Sequence, residues 1–399
     1  MNNGPIETSL RLLFSADDTD VTESLMPDLL SFSYADKETN EADEISIMLK
    51  DPDGKWASAW KPDGGESVRA YISKGTTTDK GLNRNELYCG RFFVDSMRVS
   101  GSPRVFDLRA VSIPLNKPIR KKIKSNAWEN VTLQAIASAI AQEAGLVFLF
   151  ESEDDPLYDR VDQSRESDLK FLSRLCQDAG LSLKVTDEQL VIFDQQLYEC
   201  KPPVQTITLG QSDVLSWDFE IVQSETYKSV TVLYRDPKKK KRGEAAKHNI
   251  GENYDIGIDN EASSGSNPEK EEPVVPDDPK YDIEYKESKK KKVNSAVNSF
   301  TYTDENADEN GQEFVLKKRA KSIEEAERLA KAKLRLLNMR RVTGSMTVIG
   351  DIALTAGVVV TCKGFGAFDG NFYIEQATHS VSSSGYTTNI AVRRVNNEY

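Results

Sequence analysis

The chain has 399 residues, which excludes a single compact core and predicts two to four domains. Its 52 basic and 64 acidic side chains give a net charge of −12, which argues against duplex nucleic acid as the main partner, because phosphate binding needs a basic surface. The two histidines and four cysteines are too far apart in sequence to match the spacing of a zinc site.

No targeting or membrane segment is expected. The N-terminus, Met1–Pro5, has neither a basic region nor an apolar one, and no run of about 18 apolar residues occurs anywhere. We therefore expect a soluble product made in the cytoplasm, without an integral membrane segment. In such a reducing compartment the cysteines are expected to remain free thiols; they are Cys89, Cys176, Cys200 and Cys362.

Residues 1–113 show the alternation of apolar and polar side chains that is typical of half-buried strands. Turn residues such as Asp51-Pro52-Asp53-Gly54 separate the strands. About six short strands in this length predict a small barrel or sandwich. The predicted strands are 6–14, 29–35, 44–50, 68–74, 85–95 and 105–113.

The apolar period becomes helical in residues 114–200, which predicts a small α/β insert domain. Two helices are expected, Asn130–Ala144 and Ser167–Ala179, each ended by a glycine, Gly145 or Gly180. Ser167 is the expected N-cap of the second helix. Each helix leads into a short apolar strand, and the two helix ends have similar sequences 35 residues apart.

Residues 201–235 contain further strands, which we expect to return to the first barrel. Residues 236–294 then form a polar, charged insertion. Its two basic blocks, Lys238–Arg242 and Lys289–Lys292, could contact nucleic acid or a membrane, but acidic residues lie between them and no aromatic residue interrupts the first block. A solvated loop is the favoured interpretation.

Residues 295–399 predict a second β barrel that carries a helix at 322–339. Ser322-Ile323-Glu324-Glu325 matches a capping box at the start of this helix. An apolar stripe on the helix is expected to pack on the barrel; it contains Ile323, Ala326, Ala330, Leu334 and Leu337. The opposite face is basic, and we expect it to meet an acidic partner; its candidate interface residues are Arg328, Lys331 and Arg335.

No catalytic, metal-binding or cofactor-binding residue is assigned, and the protein is expected not to be an enzyme. The motifs GxSxG, HExxH, GxGxxG and the P-loop are absent. His379 lies in a strand pattern without an acid at triad spacing, so a structural role is favoured. The acidic stretch 151–155 is expected to be a solvated loop, and Trp56 and Trp60 are expected to pack rather than to form a sugar platform.

Several segments together resemble one family. Ser164–Leu181, with Ser167-Asp168, Phe171-Leu172 and Arg174-Leu175, resembles a helix of phage late control protein D and its VgrG relatives. The ending is similar to the second barrel of that family, through Gly364-Phe365-Gly366, Asp369–Ile374, Thr378-His379-Ser380 and Gly385–Thr388. The resemblance covers nearly the whole chain apart from the insertion.

The resemblance implies a structural baseplate hub of a contractile injection machine: a phage tail, a phage-tail-like bacteriocin or a related particle. It implies a mainly β fold with an α+β insert, in which two tail-tube-like β barrels flank the small α/β domain. A homotrimer would then place six barrels in a pseudo-sixfold ring between the tail tube and the spike. The protein would be made in a bacterial cytoplasm and assembled into the baseplate.

The implied partners are a second and a third copy of the chain, a tail tube or tube-initiator protein, and a separate trimeric spike. A separate spike is expected because the sequence stops at Tyr399, where VgrG proteins continue into a needle. Baseplate wedge and tape-measure proteins are further candidates, and stable nucleic-acid binding is not expected.

Two alternative functions remain open from the sequence. One is a cell-wall-binding or wall-hydrolysing tail-tip protein, which would need a positioned acid pair or a Cys/His pair for hydrolysis. The other is a nucleic-acid binder that uses the basic loop, and it would have to lose DNA affinity when Lys238–Arg242 is deleted.

Overall fold

The structure of the chain is a computed structural model. It describes residues 6–14, 17–39, 42–78, 81–113, 118–186, 188–222, 226–234, 298–304 and 311–395. The predicted insertion, 236–294, lies entirely outside the described residues.

The first β unit is an antiparallel sheet built from the N-terminal part of the chain. Its elements are β1 (Ile6–Phe14), β2 (Thr19–Asp20), α1 (Thr22–Leu25), a 3-10 turn (Met26–Asp28), β3 (Leu29–Lys37), β4 (Glu44–Lys50), β5 (Ser67–Thr78), β6 (Gly81–Ser100) and β7 (Val105–Val111). The strands are ordered β3-β4-β7-β6-β5-β1-β2. Alternate side chains such as Phe32, Ile47 and Phe92 point into one buried core, as the period-two pattern predicts.

The α/β unit follows in chain order. Its elements are α2 (Pro118–Lys121), β8 (Ile123–Thr132), α3 (Leu133–Ala144), β9 (Val147–Glu151), β10 (Leu157–Ser167), α4 (Asp168–Ala179), β11 (Ser182–Val185), β12 (Gln189–Phe193) and α5 (Gln195–Glu199). Strand β12 lies between β9, to which it is parallel, and β11, to which it is antiparallel. Helices α3 and α4 supply most of the core of this unit.

The C-terminal ends of both predicted helices are confirmed, although α3 begins at Leu133 rather than at Asn130. Gly145 and Gly180 follow α3 and α4 with φ of 66° and 75°, a left-handed conformation that glycine adopts without a steric penalty. The Ser167 hydroxyl accepts a hydrogen bond from the backbone N–H of Lys170, so Ser167 is the N-cap of α4.

The ribbon formed by β8 and β10 was not predicted. Both strands are largely exposed and polar, so their sequences lack the alternation that reveals a strand. The two strands pair with each other over most of their length, and Trp128 and Val161 pack against the core of the unit.

The remaining elements are β13 (Gln205–Thr208), β14 (Val214–Ile221), β15 (Tyr227–Tyr234), β16 (Asn298–Thr303), β17 (Gln312–Ala320), α6 (Ile323–Asn338), β18 (Val342–Ile349), β19 (Val359–Lys363), a second 3-10 turn (Gly366–Phe368), β20 (Gly370–Ser382) and β21 (Gly385–Arg394). They divide into a second β unit and a helix unit.

The second β unit contains β13, β14 and β18–β21. Strand β13 is parallel to β19, and β14 is antiparallel to β18. The prediction that strands of 201–235 return to the first barrel is therefore wrong. Alternation identifies a strand but not the sheet it joins, since the pairing depends on contacts distant in sequence.

The helix unit is a separate three-stranded sheet covered by α6. Strand β15 lies between β16, which is antiparallel, and β17, which is parallel. Helix α6 begins and ends close to the predicted limits of 322–339, and the Ser322 hydroxyl accepts from the N–H of Glu325. Its buried side chains pack on this sheet, so the assignment of all of 295–399 to one barrel requires correction.

The two β units are joined edge to edge. Strand β20 pairs with β3 from Gln376↔Lys37 to Ser382↔Ser31, so both units belong to one 13-stranded sheet. Val381 and Tyr386 from the second unit complete the core of the first. The mainly β fold with an α+β insert is confirmed; within the described residues the strands follow an open path rather than a closed barrel.

Candidate assembly interface

The apolar face of α6 differs slightly from the predicted stripe. Ala326, Ala330 and Leu334 are fully buried as expected, and Leu337 is partly buried. Ile323, in contrast, is 46% exposed, and Leu329 is buried in addition to the predicted stripe. The buried face is therefore centred on the middle of the helix, over β15.

Arg335 does not belong to an open basic face. Its guanidinium is buried, and Nη2 donates a 2.6 Å hydrogen bond to Oε1 of Glu199, the last residue of α5. Arg393 of β21 donates to the same oxygen. The helical spacing correctly places residues 328, 331 and 335 on one side of α6. Helix α5, however, covers the C-terminal end of that side. Arg335 is thus an internal ion-pair residue, and its prediction as an exposed interface residue is wrong.

Lys331 is the exposed member of the predicted basic face. Its ammonium lies 2.9 Å from Glu327 and 5.4 Å from the centre of the Tyr302 ring. The hydrogen bond from Lys331 to Glu327 raises the pKa of the lysine, so it is charged at neutral pH. Arg328 is half-buried, and its Nε has no hydrogen-bond partner in the described part of the chain.

Arg328, Lys331 and Arg335 line one cavity between α6 and the α/β unit. The cavity has a volume of about 520 Å³. Acidic side chains also line it, among them Asp154 and Asp194. The chain itself therefore supplies acidic groups near the basic face, and only Lys331 and part of Arg328 remain available to another protein.

His379 is a core residue. Its side chain is fully buried, with Nδ1 2.7 Å from the Tyr386 hydroxyl, and its ring stacks on Tyr34. Burial lowers the pKa of His379 to about 4. A neutral imidazole held between tyrosines has the structural role that the sequence predicted.

The other residues considered for chemistry also make structural contacts. Glu151 accepts from the Tyr198 hydroxyl, and Asp155 accepts from the backbone N–H of Gln134 in the first turn of α3. Trp56 is buried and donates through Nε1 to Asp28, while Trp60 lies edge-on to it at 5.2 Å. Over the described ranges, no three His, Cys, Asp or Glu side chains are placed to hold a metal ion.

A feature that sequence reasoning missed is the apolar edge strand β14. Among the described strands, β14 pairs only with β18, so its other edge is open. Leu215 is 58% exposed, Trp217 is 46% exposed, and Ile221 is also exposed. An open edge with large apolar side chains is a site where another strand can add. The alternation of β14 could not show this, because edge position is a property of the assembled sheet.

A family model described as "Phage tail baseplate hub (GPD)" matches residues 113–385, which include the α/β unit, the helix unit and most of the second β unit. The chain belongs to this family. A probable baseplate hub protein of Escherichia phage P2 is 29% identical over 232 residues, which are 56% of this chain and 56% of the relative. The chain thus spans about half the length of this curated relative.

Two solved structures share the fold. A tail protein of Neisseria meningitidis MC58 superposes with a TM-score of 0.62 at 13% identity, covering 97% of this chain and 96% of that one. A prophage MuSo2 tail protein of Shewanella oneidensis also gives 0.62, at 12% identity, covering 97% and 98%. The structural similarity therefore includes the first β unit, which the family match does not cover.

The helices that the structure describes are too short or too polar to cross a lipid bilayer.

Proposed function

We propose that this chain is a structural hub protein that joins the tail tube to the central spike in the baseplate of a contractile tail. The observation that carries the proposal is the pairing of β3 with β20, which makes one chain supply two adjacent β units of a continuous wall. Membership of the baseplate hub family supports the same function.

Among the strands that the structure describes, the continuous wall has two open ends. One is the edge of β14, and the other is β1, which pairs with β5 and near its C-terminal end with β2. The unpaired backbone groups of such edges form hydrogen bonds when copies of the chain join head to tail. A head-to-tail contact closes into a ring if the rotation between neighbouring copies permits it. Three copies would give six β units around a lumen, a pseudo-sixfold homotrimeric ring of two tube-like barrels per chain.

The ring would match a sixfold tube on one side and a threefold spike on the other. The partners we infer are the tail tube or a tube-initiator protein and a separate trimeric spike protein, with baseplate wedge and tape-measure proteins as further contacts. The particle is a phage tail, a phage-tail-like bacteriocin or a related injection system. The role is non-enzymatic, and no specific contact among the described residues favours the wall-binding or wall-hydrolysing alternative.

The oligomeric state tests the proposal. Mass photometry of the full chain, alone and with its spike, should show three copies of the 44.6 kDa chain, about 134 kDa. A monomer in both conditions would contradict the ring.

The edge of β14 is tested by Leu215→Lys. A lysine on an edge strand opposes pairing with another strand, so we expect this variant to remain folded but monomeric. The matched control is Leu157→Lys, because Leu157 is an exposed leucine (65%) on β10, which belongs to a different, two-stranded sheet. If both variants form trimers, β14 does not lie at the contact between copies.

A further inference from the structure

The α/β unit is attached to the β units mainly by polar contacts. Among the described residues, only Ala42 and Ile113 join its apolar core from outside residues 118–200. The two β units, in contrast, share a strand pair and an apolar core. Units that meet through polar surfaces can move relative to each other more readily than units with a common apolar core.

The first contact is a buried cluster that we call the Glu38 joint: Glu38, Gln195, Glu199, Arg335, Tyr373 and Arg393. Glu38 follows β3, and its Oε1 accepts a 2.9 Å hydrogen bond from Gln195 of α5 and another from the Tyr373 hydroxyl of β20. Its backbone N–H donates to the carbonyl of Glu375, so its position is fixed by the second β unit.

Glu199 completes this joint. Its Oε1 accepts from Arg335 of α6 and from Arg393, whose guanidinium lies over the Tyr373 ring at 4.7 Å. The short helix α5 thus contacts both β units and the helix unit through charged or hydrogen-bonded groups, all of them at most 9% exposed.

The second contact, which we call the Lys184 joint, consists of Asp36, Asp43 and Lys184. Lys184 of β11 donates to Asp36 and to the carbonyl of Lys37, both at 2.9 Å, and lies 3.4 Å from Asp43. Asp36 also accepts from the backbone N–H of Ala356, which precedes β19. This joint therefore ties the α/β unit to the same end of β3 as the Glu38 joint does.

Both joints contain a carboxyl group whose ionised form is disfavoured. Burial raises the pKa of Glu38, while Tyr373, Arg393 and Gln195 oppose this effect and the charge of Glu375 adds to it; the resulting pKa is about 6. Burial also raises the pKa of Asp43 to about 6, with Lys184 opposing and Asp36 adding to the effect. Tyr34 and His379, which also face Asp36, stay neutral in this range because burial raises the pKa of Tyr34 and lowers that of His379.

The direction of the pH dependence follows from these shifts. In a closed state the α/β unit is held on both β units by the two joints, and in an open state water replaces these contacts. A carboxyl group whose pKa is raised in the closed state binds more protons there than in the open state. Closure is therefore favoured below the raised pKa and becomes less favourable as the pH rises through the interval between the solvated and the buried pKa.

We propose that the two joints act as a latch, which holds the α/β unit firmly on both β units in mild acid and releases it progressively as the pH rises. The α/β unit is the part that moves. On release, Glu38, Asp43 and Lys184 exchange their contacts with their partners for contacts with water.

Hydrogen exchange of the full chain between pH 5 and pH 8 tests the latch. Protection of residues 182–199, corrected for the intrinsic exchange rate at each pH, should fall as the pH rises, while protection of β18 stays constant. Glu38 alone should lower the protection about eightfold between pH 5 and pH 8, because its pKa is 4.5 in the open state and about 6 in the closed one.

Glu38→Gln mimics the protonated side chain and should reduce the pH dependence, and the double variant Glu38→Gln, Asp43→Asn should abolish it. Glu86→Gln is the control, because Glu86 is an exposed carboxylate of the same β unit that pairs with Arg11. Tyr373→Phe removes a hydrogen bond that lowers the pKa of Glu38, so it should move the midpoint to higher pH without changing a charged residue.

Loss of the pH dependence in Glu38→Gln, Asp43→Asn together with an upward shift in Tyr373→Phe supports the latch. A wild-type protein whose protection does not change between pH 5 and pH 8, or increases, would overturn it. An equal pH dependence in the wild type and the double variant would overturn it as well. If the double variant does not fold, the direction of the shift in Tyr373→Phe decides.

Discussion

At the scale of single residues, Glu199 shows how an internal partner changes the meaning of a surface pattern. Arg335 and Arg393 both donate to its Oε1, and all three side chains are buried. Reversing the charge of Arg335 would place two carboxylates together in a buried site, which is strongly destabilising. A charge reversal at Arg335 therefore does not test an interface, and only Lys331 offers a test that preserves the fold.

His379 carries a prediction about acid stability. Burial depresses its pKa from 6.5 to about 4, so its contribution is present above pH 6.5 and is lost as the pH falls toward 4. The free energy of unfolding attributable to this side chain should fall by about 2 kcal/mol between pH 7 and pH 5.

Urea unfolding of the wild type and of His379→Asn at both pH values measures this effect. Asparagine keeps a polar group near Nδ1 but does not titrate, so the variant should lack this part of the pH dependence. Equal slopes with pH in the two proteins would mean that the imidazole has the same pKa in the folded and unfolded states, which would contradict the depressed pKa of His379.

At the scale of elements, α6 and the strands β15–β17 form a unit with its own core. Val230 and Val232 of β15 pack against Ala326, Leu329, Ala330 and Leu334 of the helix. The two residues that flank the undescribed segment, Tyr234 and Asn298, are paired directly across β15 and β16. Two predictions follow from this arrangement.

Leu334→Asp should unfold the helix unit, because an unpaired charge in an apolar core costs several kcal/mol. Leu336→Asp is the matched control, since Leu336 lies on the same helix and is 37% exposed. Hydrogen exchange should show lost protection in β15–β17 and α6 for the first variant only. Equal protection in the two variants would contradict the packing of α6 described above.

Removal of residues 240–290 should leave folding intact. The segment is polar, and because Tyr234 and Asn298 face each other, a short connection can replace it. Thermal unfolding of the deletion variant should match that of the full chain within a few degrees. A large drop in the melting temperature would show that the deleted residues contribute to the core.

At the scale of the whole molecule, we propose that the chain presents two kinds of surface to an assembly. One is the apolar edge of β14, which we propose contacts another copy of the chain. The other is the part of the basic α6 face that remains open, Lys331 with the half-buried Arg328. We propose that this second surface contacts an acidic partner in the baseplate.

Lys331→Glu tests this surface, because it should preserve the fold and weaken particle assembly several-fold at low salt, with a smaller effect at high salt. Lys317→Glu, on the exposed side of β17, changes the net charge equally and serves as the control. Assembly of Lys331→Glu that equals the control at both salt concentrations would show that this face is only solvated.

The sequence by itself determined the local elements and the family. Apolar period, N-caps and terminal glycines depend on neighbouring residues, so α3, α4 and α6 were predicted close to their observed limits. The ordered motifs from Ser164 to Thr388 also indicated the baseplate hub family, which the family match confirms.

Only the tertiary structure decided which strands share a sheet and which charges remain exposed. The pairing of β13 and β14 with the second β unit, the separate sheet under α6 and the burial of Arg335 against Glu199 all join residues more than 60 positions apart. Such contacts depend on the complementarity of whole surfaces, which a local pattern of apolar and polar residues does not encode.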